Sequence, residues 1–407
     1  MDSSLYDIRR DYRIPSFMVG ERPRFIFENT MTLVPSVAVS LYEQYLSYKK
    51  GSYNSVNDDL DKIAYLYTWA NRENIDIEEL LLNGYAPQPI QVRAFAYWLS
   101  QIDNISLSTY NRVLDVSAAI FVWFIMHYGE FEGRGNKHQL DREKVASSTQ
   151  ALFRNHKKPD RKKRIAEDMS EEDIATIENY LKPENRAAGV DEATAKRDYL
   201  MWRLAIEFGF RASEILALRL CDCPHGKQQF IKIVRIEERG KDYHDPRGPR
   251  MPRPKTLSRD LGFLIENSPI PELISDYVSE YRSIVVLRNG KITKQPVLKH
   301  EFLAISHMRK SGAPLSESGM QRVAQRISEK TGVTFHWHLA RHAFFNRAYL
   351  SIVNHPELKD KLLDLVYWGG WSDEKSLQLY VNRARRHRAT TALVFWQTGT
   401  NTWDALK

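Results

Sequence analysis

Residues 336–380 read HWHLARHAFFNRAYLSIVNHPELKDKLLDLVYWGGWSDEKSLQLY, and this stretch decides how the rest of the chain is interpreted. His338 and Arg341 stand three residues apart and His342 stands four after His338, so on a helix the three side chains share nearly one face. A pattern this short often arises by chance, as a solvated basic face or as a histidine packed on the core. It therefore needs partners elsewhere in the sequence before it indicates a site.

Two aromatic residues in the same stretch could complete such a site. Trp371 follows the Gly369–Gly370 pair, and Tyr380 lies nine residues further on, on a helix predicted over residues 373–386. An indole N–H can donate to a phosphate oxygen while the ring packs against a wall. A tyrosine hydroxyl has an ordinary pKa of about 10, so it attacks an electrophile only beside cations and a proton acceptor. By itself Tyr380 would be a half-buried aromatic of a helix.

The composition is that of an ordinary globular protein with room for two or three domains. Of its 407 residues, 43% are hydrophobic and 27% are charged, which excludes a disordered chain. The 59 Lys and Arg against 51 Asp and Glu give a formal net charge of +8, so a polyanionic partner is plausible but not required. No apolar run has the length of a signal peptide or a membrane span, so we expect a soluble, cytoplasmic protein without a membrane partner.

The cysteine content supports neither a disulfide framework nor a tetrahedral metal site. Cys221 and Cys223 are the two cysteines of the chain, and no second pair is present to complete a zinc site or a disulfide framework. We expect them to be small apolar residues in a reducing cytoplasm, and we expect no metal.

The first 168 residues divide into three predicted parts. Residues 1–36 carry five arginines among aromatics and prolines without a sustained period, and we interpret them as an irregular basic leader. Residues 37–130 are predicted to form a compact domain of about four helices, because apolar residues recur there at helical spacing. Residues 131–168 lose that period and become basic, which predicts a linker. The predicted helices span residues 36–48, 57–71, 89–102 and 108–128.

The predicted linker ends in a dense basic run. A run of this kind is usually solvated, but beside DNA each phosphate contact would add salt-dependent affinity, and both interpretations stay open. The candidate DNA-binding residues of the run are Lys157, Lys158, Arg161, Lys162, Lys163 and Arg164.

Residues 169–390 are predicted to form a second domain, which mixes helices with a few strands. Ser170 caps an acidic first turn, and a later helix ends at Gly209. The fold class is therefore mainly α with a small antiparallel β-sheet (α+β). The pattern predicts helices over residues 193–208, 271–287 and 317–330 and strands over residues 229–234 and 256–265.

Two more cationic candidates lie earlier in this domain. Arg211 precedes the start of a helix at Ser213-Glu214, where a turn would hold it. Lys255 stands at the start of the second strand, after a basic, Pro-rich loop that is longer than a common hairpin connection, which indicates function or disorder at its tip. Each of the two alone would be interpreted as a surface charge.

Taken in order, these segments resemble the catalytic domain of the tyrosine recombinase (phage integrase) family. The resemblance covers residues from about 165 to 390, and the helices before them look like the family's helical core-binding (SAM-like) domain. Each motif alone is weak, but five motifs in order are strong evidence. The matching segments are Phe210-Arg211-Ala212-Ser213-Glu214, Pro254-Lys255-Thr256, His338-Leu339-Ala340-Arg341-His342, Gly370-Trp371-Ser372 and Tyr380.

The resemblance implies a site-specific recombinase or integrase that breaks and rejoins DNA strands by transesterification, without a cofactor. Tyr380 would attack a phosphodiester and leave a 3′-phosphotyrosyl link and a free 5′-hydroxyl. Arg211 and Arg341 would bind the non-bridging oxygens, because a planar guanidinium offers a phosphate two donors. Lys255 would protonate the leaving 5′-oxygen.

The remaining site residues take supporting roles in this reading. His338 would accept the tyrosine proton, because imidazole titrates near neutrality. Trp371 would hold the phosphate and support Tyr380, while Glu214 and His342 would orient the first arginine and the helix.

Three features depart from the family pattern. Ala340 stands where the family often has leucine, and Trp371 stands where histidine is commoner. The long loop before Lys255 leaves Arg253 and Arg259 as alternative candidates for the general acid.

The resemblance also implies partners and leaves alternatives. The expected partners are double-stranded DNA recombination sites of a mobile genetic element and, in the synaptic complex, a homotetramer or other recombinase subunits. The tail at residues 391–407 would dock on a neighbouring protomer through its apolar residues 393–396. The alternative functions are a DNA-binding protein of the same fold that does not cut, and a type IB topoisomerase-like enzyme.

Overall fold

The computed structural model divides the chain into two compact units, Met1–Lys162 and Lys163–Lys407. Among the described residues both are mainly helical and carry only two-stranded antiparallel sheets, which confirms the predicted fold class. Within the same residues, no helix combines the length and the apolar character needed to span a bilayer. The structure describes residues 11–19, 22–50, 53–129, 136–159, 168–187, 189–224, 229–240, 242–262, 268–282, 284–288, 291–295, 298–307, 312–355, 357 and 361–397.

The first unit is a helical bundle with two short hairpins at its N-terminal end. All four helices predicted for this part of the chain are observed. The helices are α1 (Val37–Lys50), α2 (Tyr53–Arg72), α3 (Ile77–Leu82), α4 (Pro89–Ser100), α5 (Leu107–Tyr128) and α6 (Asn136–Asn155). In the hairpins, β1 (Tyr12–Arg13) pairs with β4 (Glu28–Asn29), and β2 (Ser16–Val19) pairs with β3 (Arg22–Phe25).

The predicted irregular leader is wrong for residues 12–13, 16–19, 22–25 and 28–29, which form the strands of these hairpins. Phe25 and Phe27 are buried in the core of the bundle, and Arg24 binds the buried carboxylate of Glu43 through Nε and Nη2 at 2.9 and 2.7 Å. Arg24 and Glu43 are 19 positions apart in the sequence, so their contact cannot be predicted from local periodicity.

The predicted linker is also wrong for residues 136–155, which form α6. This helix buries Phe153 in the bundle core, where its ring centroid lies 6.0 Å from that of Phe121 on α5. Its apolar face is sparse and its mean hydropathy is low, so tertiary packing rather than amphipathic pattern defines the helix.

The second unit is built around the buried helix α8 (Glu192–Phe208), whose Trp202 and Phe208 lie in the core. Ser170 caps α7 by accepting from the amide of Asp173, and Gly209 ends α8 at a φ of +65°, as predicted. Its helices are α7 (Glu171–Leu181), α8 (Glu192–Phe208), α9 (Ala212–Ala217), α10 (Ile270–Asp276), α11 (Glu317–Thr331), α12 (Trp337–Asn354), α13 (Leu362–Gly369) and α14 (Gln378–Gln397).

Two antiparallel hairpins complete this unit. Strand β5 (Phe230–Ile233) pairs with β6 (Arg259–Gly262), which confirms the predicted strand pair within the described residues. Strand β7 (Ile284–Arg288) pairs with β8 (Lys291–Gln295). The predicted helix over residues 271–287 is wrong after Tyr281, because the β-branched run that follows favours a strand.

Two arginines of the long loop between β5 and β6 bind groups elsewhere in the unit and fix the loop in place. Arg239 binds Asp222 through both Nη atoms at 2.8 and 2.5 Å. Arg247 binds Asp245 and also donates to the carbonyls of residues 216 and 315 at 3.0 and 2.9 Å. The described part of this loop is therefore tied to the core, and its C-terminal end carries Lys255.

Candidate active site

The basic face predicted for residues 338–342 lies on α12. His336 caps the helix by accepting from the amide of Leu339. His338 is exposed, and its ring centroid lies 4.3 Å from that of the half-buried His342. Arg341 points inward, and its side chain is 1% exposed. One helix thus presents a histidine pair at the surface and an arginine in the interior.

The guanidinium of Arg341 is fixed by two backbone carbonyls. Its Nη1 donates to the oxygen of Gly209 at 2.6 Å, and its Nη2 donates to the oxygen of Gly369 at 2.9 Å. The guanidinium carbon also lies 4.6 and 5.2 Å from the ring centroids of Phe345 and Trp371. Burial, followed by the charge of Arg211, lowers the pKa of Arg341 to about 9, so the group stays charged at neutral pH.

Arg211, which lies far from Arg341 in the sequence, approaches the same carbonyl, that of Gly369. It lies at the N-terminal cap of α9, where its amide donates to Oε2 of Glu214 at 2.8 Å. Its Nη1 lies 3.4 Å from the oxygen of Gly369, and its side chain is 25% exposed. Two arginines that are 130 positions apart in the chain therefore share one acceptor.

Glu214 lies buried among three guanidinium groups. Its carboxylate is 3.0 Å from Arg259 and 3.8 Å from each of Arg211 and Arg341, and it also accepts from the hydroxyl of Thr256. Burial alone would raise the pKa of Glu214, but the charges of Arg259 and Arg341 lower it below the ordinary value. The carboxylate is thus ionised and orients the arginines around it.

Tyr380 on α14 closes this cluster. Its side chain is 3% exposed, and its ring packs against those of Phe345 and Trp371, with centroids 5.6 and 5.8 Å away. The hydroxyl lies 3.3 Å from Nδ1 of His342. Burial raises the pKa of Tyr380, while the charges of Arg341 and Arg211 oppose that rise.

The structure brings most of the predicted site residues together. The cluster formed by Arg211, Glu214, Arg341, His342, Trp371 and Tyr380 is hereafter called the arginine–tyrosine cluster. His338 reaches it through His342. His342, interpreted from the sequence as a support of the helix, is the histidine whose ring nitrogen reaches the tyrosine hydroxyl.

The three candidates for the general acid lie in different environments. Lys255 is exposed, and no described hydrogen bond or ion pair joins it to the arginine–tyrosine cluster. Arg253 lies 3.6 Å from Glu237 on its own loop. Arg259, named from the sequence as an alternative general acid, is instead buried beside Glu214 of the cluster, a position that the sequence did not predict. The alternation along β6 carries the signal, because Arg259 and Leu261 occupy its buried positions.

The basic run is described only at its start. The Nζ of Lys157 lies 2.9 Å from the carboxylate of Asp115, and that of Lys158 lies 4.5 Å from the ring centroid of Tyr110. These contacts use both lysines within their own unit. Residues 161–164 lie outside the described part of the chain, so their DNA contact stays a prediction.

The turn at Gly370 requires glycine, and this yields a stability prediction. Gly370 has a φ of +61°, and a Cβ there would lie 2.5 Å from Nη1 of Arg259 and 2.8 Å from Cβ of Thr256. We expect Gly370→Ala to lower the free energy of unfolding by about 1–2 kcal/mol for the left-handed backbone and about 1–3 kcal/mol more for the clash. Urea denaturation measures the loss.

Gly332→Ala is the matched control for that prediction. Gly332 has a φ of +73° and nothing within 4 Å of a built Cβ, so this variant should show only the backbone cost. Equal losses in the two variants would contradict a tight fit between the turn and the Arg259 side chain.

Comparison with known proteins places the fold. No family model matches the sequence, and no curated protein matches it. Among solved structures, the chain is similar to the XerH site-specific recombinase bound to difH substrate in a pre-cleavage complex. The identity is 12% and the TM-score 0.51, over 82% of this chain and 79% of that chain.

Two further structures match with TM-scores of 0.49. They are the post-cleavage complex of XerH with palindromic difH substrate, at 13% identity over 80% of this chain and 75% of that one, and a lambda integrase dimer bound to a COC′ core site, at 13% identity over 85% and 77%. The fold assignment rests on the first structure. The chain has the fold of the tyrosine recombinases, as the sequence resemblance implies.

Proposed function

We propose that the protein is a site-specific DNA recombinase or integrase that cuts and rejoins strands through a 3′-phosphotyrosyl intermediate. The observation that carries the proposal is that Tyr380, Arg211 and Arg341 converge from three separate elements, with both arginines at the carbonyl of Gly369 and both charges acting on the tyrosine. The shared fold agrees with this reading.

The chemistry follows from the groups in the arginine–tyrosine cluster. The Oη of Tyr380 attacks the phosphorus, the bond to the 5′-oxygen breaks, and the tyrosine becomes linked to the 3′-phosphate. The departing 5′-oxygen takes a proton from Lys255. A 5′-hydroxyl then attacks the phosphotyrosine in reverse and restores both a phosphodiester and the free tyrosine, so no cofactor is consumed.

The two arginines supply electrostatic stabilisation of the transition state. Charge develops on the non-bridging oxygens during attack, and preorganised donors at that place lower the barrier. A guanidinium has five N–H donors. The carbonyls of Gly209 and Gly369 use two of those of Arg341, so the group is held in place while donors remain for the phosphate.

We assign the proton acceptor for Tyr380 to His342 rather than to His338, and this is a separate prediction. General-base catalysis contributes about 100- to 10,000-fold, and the Nδ1 of His342 is the imidazole nitrogen 3.3 Å from the hydroxyl. We expect His342→Ala to slow adduct formation within that range at neutral pH and to regain rate as the pH rises towards the pKa of the tyrosine. His338→Ala should have a smaller effect.

Single-turnover adduct formation between pH 6 and pH 10 checks this assignment. A greater rate loss in His338→Ala than in His342→Ala would return the role to His338, the residue that the family pattern indicates.

The proposed function is tested by trapping the covalent intermediate. The purified chain is incubated with fragmented genomic DNA of its source organism, the reaction is stopped with detergent, and protein-linked DNA is precipitated and sequenced. We expect fragments with protein on the 3′-phosphate that share one cut sequence. DNA binding without any adduct would contradict the proposal and favour the non-cutting alternative.

The same preparation tests the other expectations. Relaxation of a supercoiled plasmid by a monomer would favour a topoisomerase-like enzyme. Under the recombinase proposal, two cut sites should instead be held together by four subunits, which sedimentation of the complex measures. The homotetramer and the docking role of residues 391–407 stay predictions. Helix α14 includes the first residues of this tail, up to Gln397, and residues 398–407 lie outside the described part of the chain.

A further inference from the structure

Arg259 ties together three segments that surround the arginine–tyrosine cluster. Arg259 is the first residue of strand β6, and its side chain is 1% exposed. Its Nε donates to the carbonyl of Trp368 at 2.7 Å, and its Nη1 lies 3.0 Å from the carboxylate of Glu214. The same Nη1 lies 3.1 Å from the hydroxyl of Thr256 and 3.2 Å from the carbonyl of Leu257. One guanidinium thus contacts α9, the end of α13 and the loop before β6.

Each of these segments carries a group of the proposed reaction. Arg211 is the capping residue of α9, and the end of α13 supplies the Gly369 carbonyl that the two arginines share. Lys255 directly precedes Thr256 in the loop. A backbone bond from the amide of Leu257 to the carbonyl of Gly370, 3.0 Å long, joins that loop to the same turn. None of the described hydrogen bonds and ion pairs of Arg259 is to a group that would react.

The burial of Arg259 argues against its role as the general acid. Its Nε and Nη1 face a carboxylate, a hydroxyl and two carbonyls of the protein, its Nη2 is buried without a described hydrogen-bond partner, and a guanidinium does not give up a proton near neutral pH. Its charge is instead needed beside Glu214, because a buried carboxylate that loses a partner is strongly destabilised. Without Arg259, Glu214 would retain Arg211 and Arg341 as its cationic partners and would draw both away from a phosphate.

We propose that Arg259 is a positioning residue that keeps the Lys255 loop in register with the Gly369–Gly370 turn and leaves Arg211 and Arg341 available to the phosphate. The inference rests on the proposed function for its catalytic consequence. Its structural part, the tie between loop and turn, stands on the contacts of Arg259 alone.

The tie is tested first without any reaction, by amide hydrogen exchange of the free full-length protein. In Arg259→Met we expect the amide of Leu257 to exchange at least about ten-fold faster, because its bond to Gly370 loses the buried support. Arg253→Met is the matched control, since Arg253 lies in the same loop but is bound only near Glu237 among the described ion pairs. Unchanged exchange in Arg259→Met would overturn the tie.

The variant Arg259→Lys tests whether the positive charge of Arg259 is sufficient or whether the planar arrangement of its donors is needed. A lysine retains the charge, but a single ammonium does not reproduce the planar fork that reaches both the carboxylate of Glu214 and the carbonyl of Trp368. We expect this variant to exchange as fast as Arg259→Met at Leu257, and full protection would overturn the role of the fork. If Arg259→Met fails to fold, Arg259→Lys carries the exchange and cleavage tests in its place.

The catalytic consequence is tested on a duplex made from the mapped cut site. One version has the ordinary bridging 5′-oxygen, and the other has sulfur there, which leaves as a thiolate and needs no proton. We expect Arg259→Met to form adduct about 100-fold more slowly than wild type on the oxygen duplex and to recover at least ten-fold on the sulfur duplex, with an unchanged Kd for DNA.

The outcomes distinguish a failure of the Arg259 positioning role from a failure of the proposed recombinase function. Equal losses on both duplexes would overturn the part of the proposal in which Arg259 acts through proton donation by Lys255, and no loss on either duplex would overturn its effect on Arg211 and Arg341 as well. If the wild-type protein forms no Tyr380-linked adduct, the proposed function fails, while the exchange result still decides whether Arg259 holds the loop to the turn.

Discussion

Tyr380→Phe should abolish the covalent protein–DNA adduct and leave DNA binding intact. The substitution removes the nucleophilic oxygen and nothing else, because the ring contacts with Phe345 and Trp371 remain. The hydroxyl has one described side-chain contact, to His342, so the free energy of unfolding should change by no more than about 1 kcal/mol. We therefore expect wild-type folding, wild-type Kd and no adduct.

The measurement is adduct yield on a nicked suicide duplex made from the mapped cut site, with binding followed in parallel by gel shift. Tyr367→Phe is the matched control: Tyr367 is exposed on α13, and its hydroxyl donates to the backbone carbonyl of Asp260 at 3.2 Å. It should form adduct at the wild-type rate. A Tyr380→Phe protein that still forms adduct would identify another residue as the nucleophile.

Arg341→Lys should have the second largest effect, on both rate and stability. The lysine cannot span the carbonyls of Gly209 and Gly369, and it places one ammonium where a fork of donors meets the phosphate. Removing a preorganised donor costs about 100- to 1,000-fold in rate. The lysine keeps a positive charge near Glu214, but the carbonyls of Gly209 and Gly369 lose their guanidinium donors, so the free energy of unfolding should fall by up to about 3 kcal/mol.

Two measurements check this prediction, the single-turnover rate of adduct formation and urea denaturation. Arg347→Lys is the control, because Arg347 lies on the same helix with an exposed side chain 3.8 Å from Glu171. Its stability should stay within about 0.5 kcal/mol of wild type. An Arg341→Lys protein that cleaves at the wild-type rate would remove Arg341 from the transition state.

The outline of the site could be predicted because its signals are local. The spacing from His338 to His342 places these side chains on one helical face, and Gly209 ends α8 just before Arg211. These features depend on neighbours within a few residues. The order of the motifs then supplied the partners that a single helix face lacks.

Long-range contacts account for what was missed. Arg259 is recognised as part of the site through Glu214 and Trp368, which lie 45 and 109 positions away in the chain. Helix α6 is defined by the burial of Phe153 against another helix, and its own sequence is polar. The choice between His338 and His342 likewise depends on where α14 places a hydroxyl.

The burial of Tyr380 bears on the conformation in which the proposed cleavage would take place. In the structure, 3% of the tyrosine and 1% of the Arg341 side chain are accessible, so a phosphodiester would reach neither without movement of the residues that cover them. Under the proposed function, part of the binding energy of the DNA site would be spent on that movement, and a subunit away from its site would be inactive.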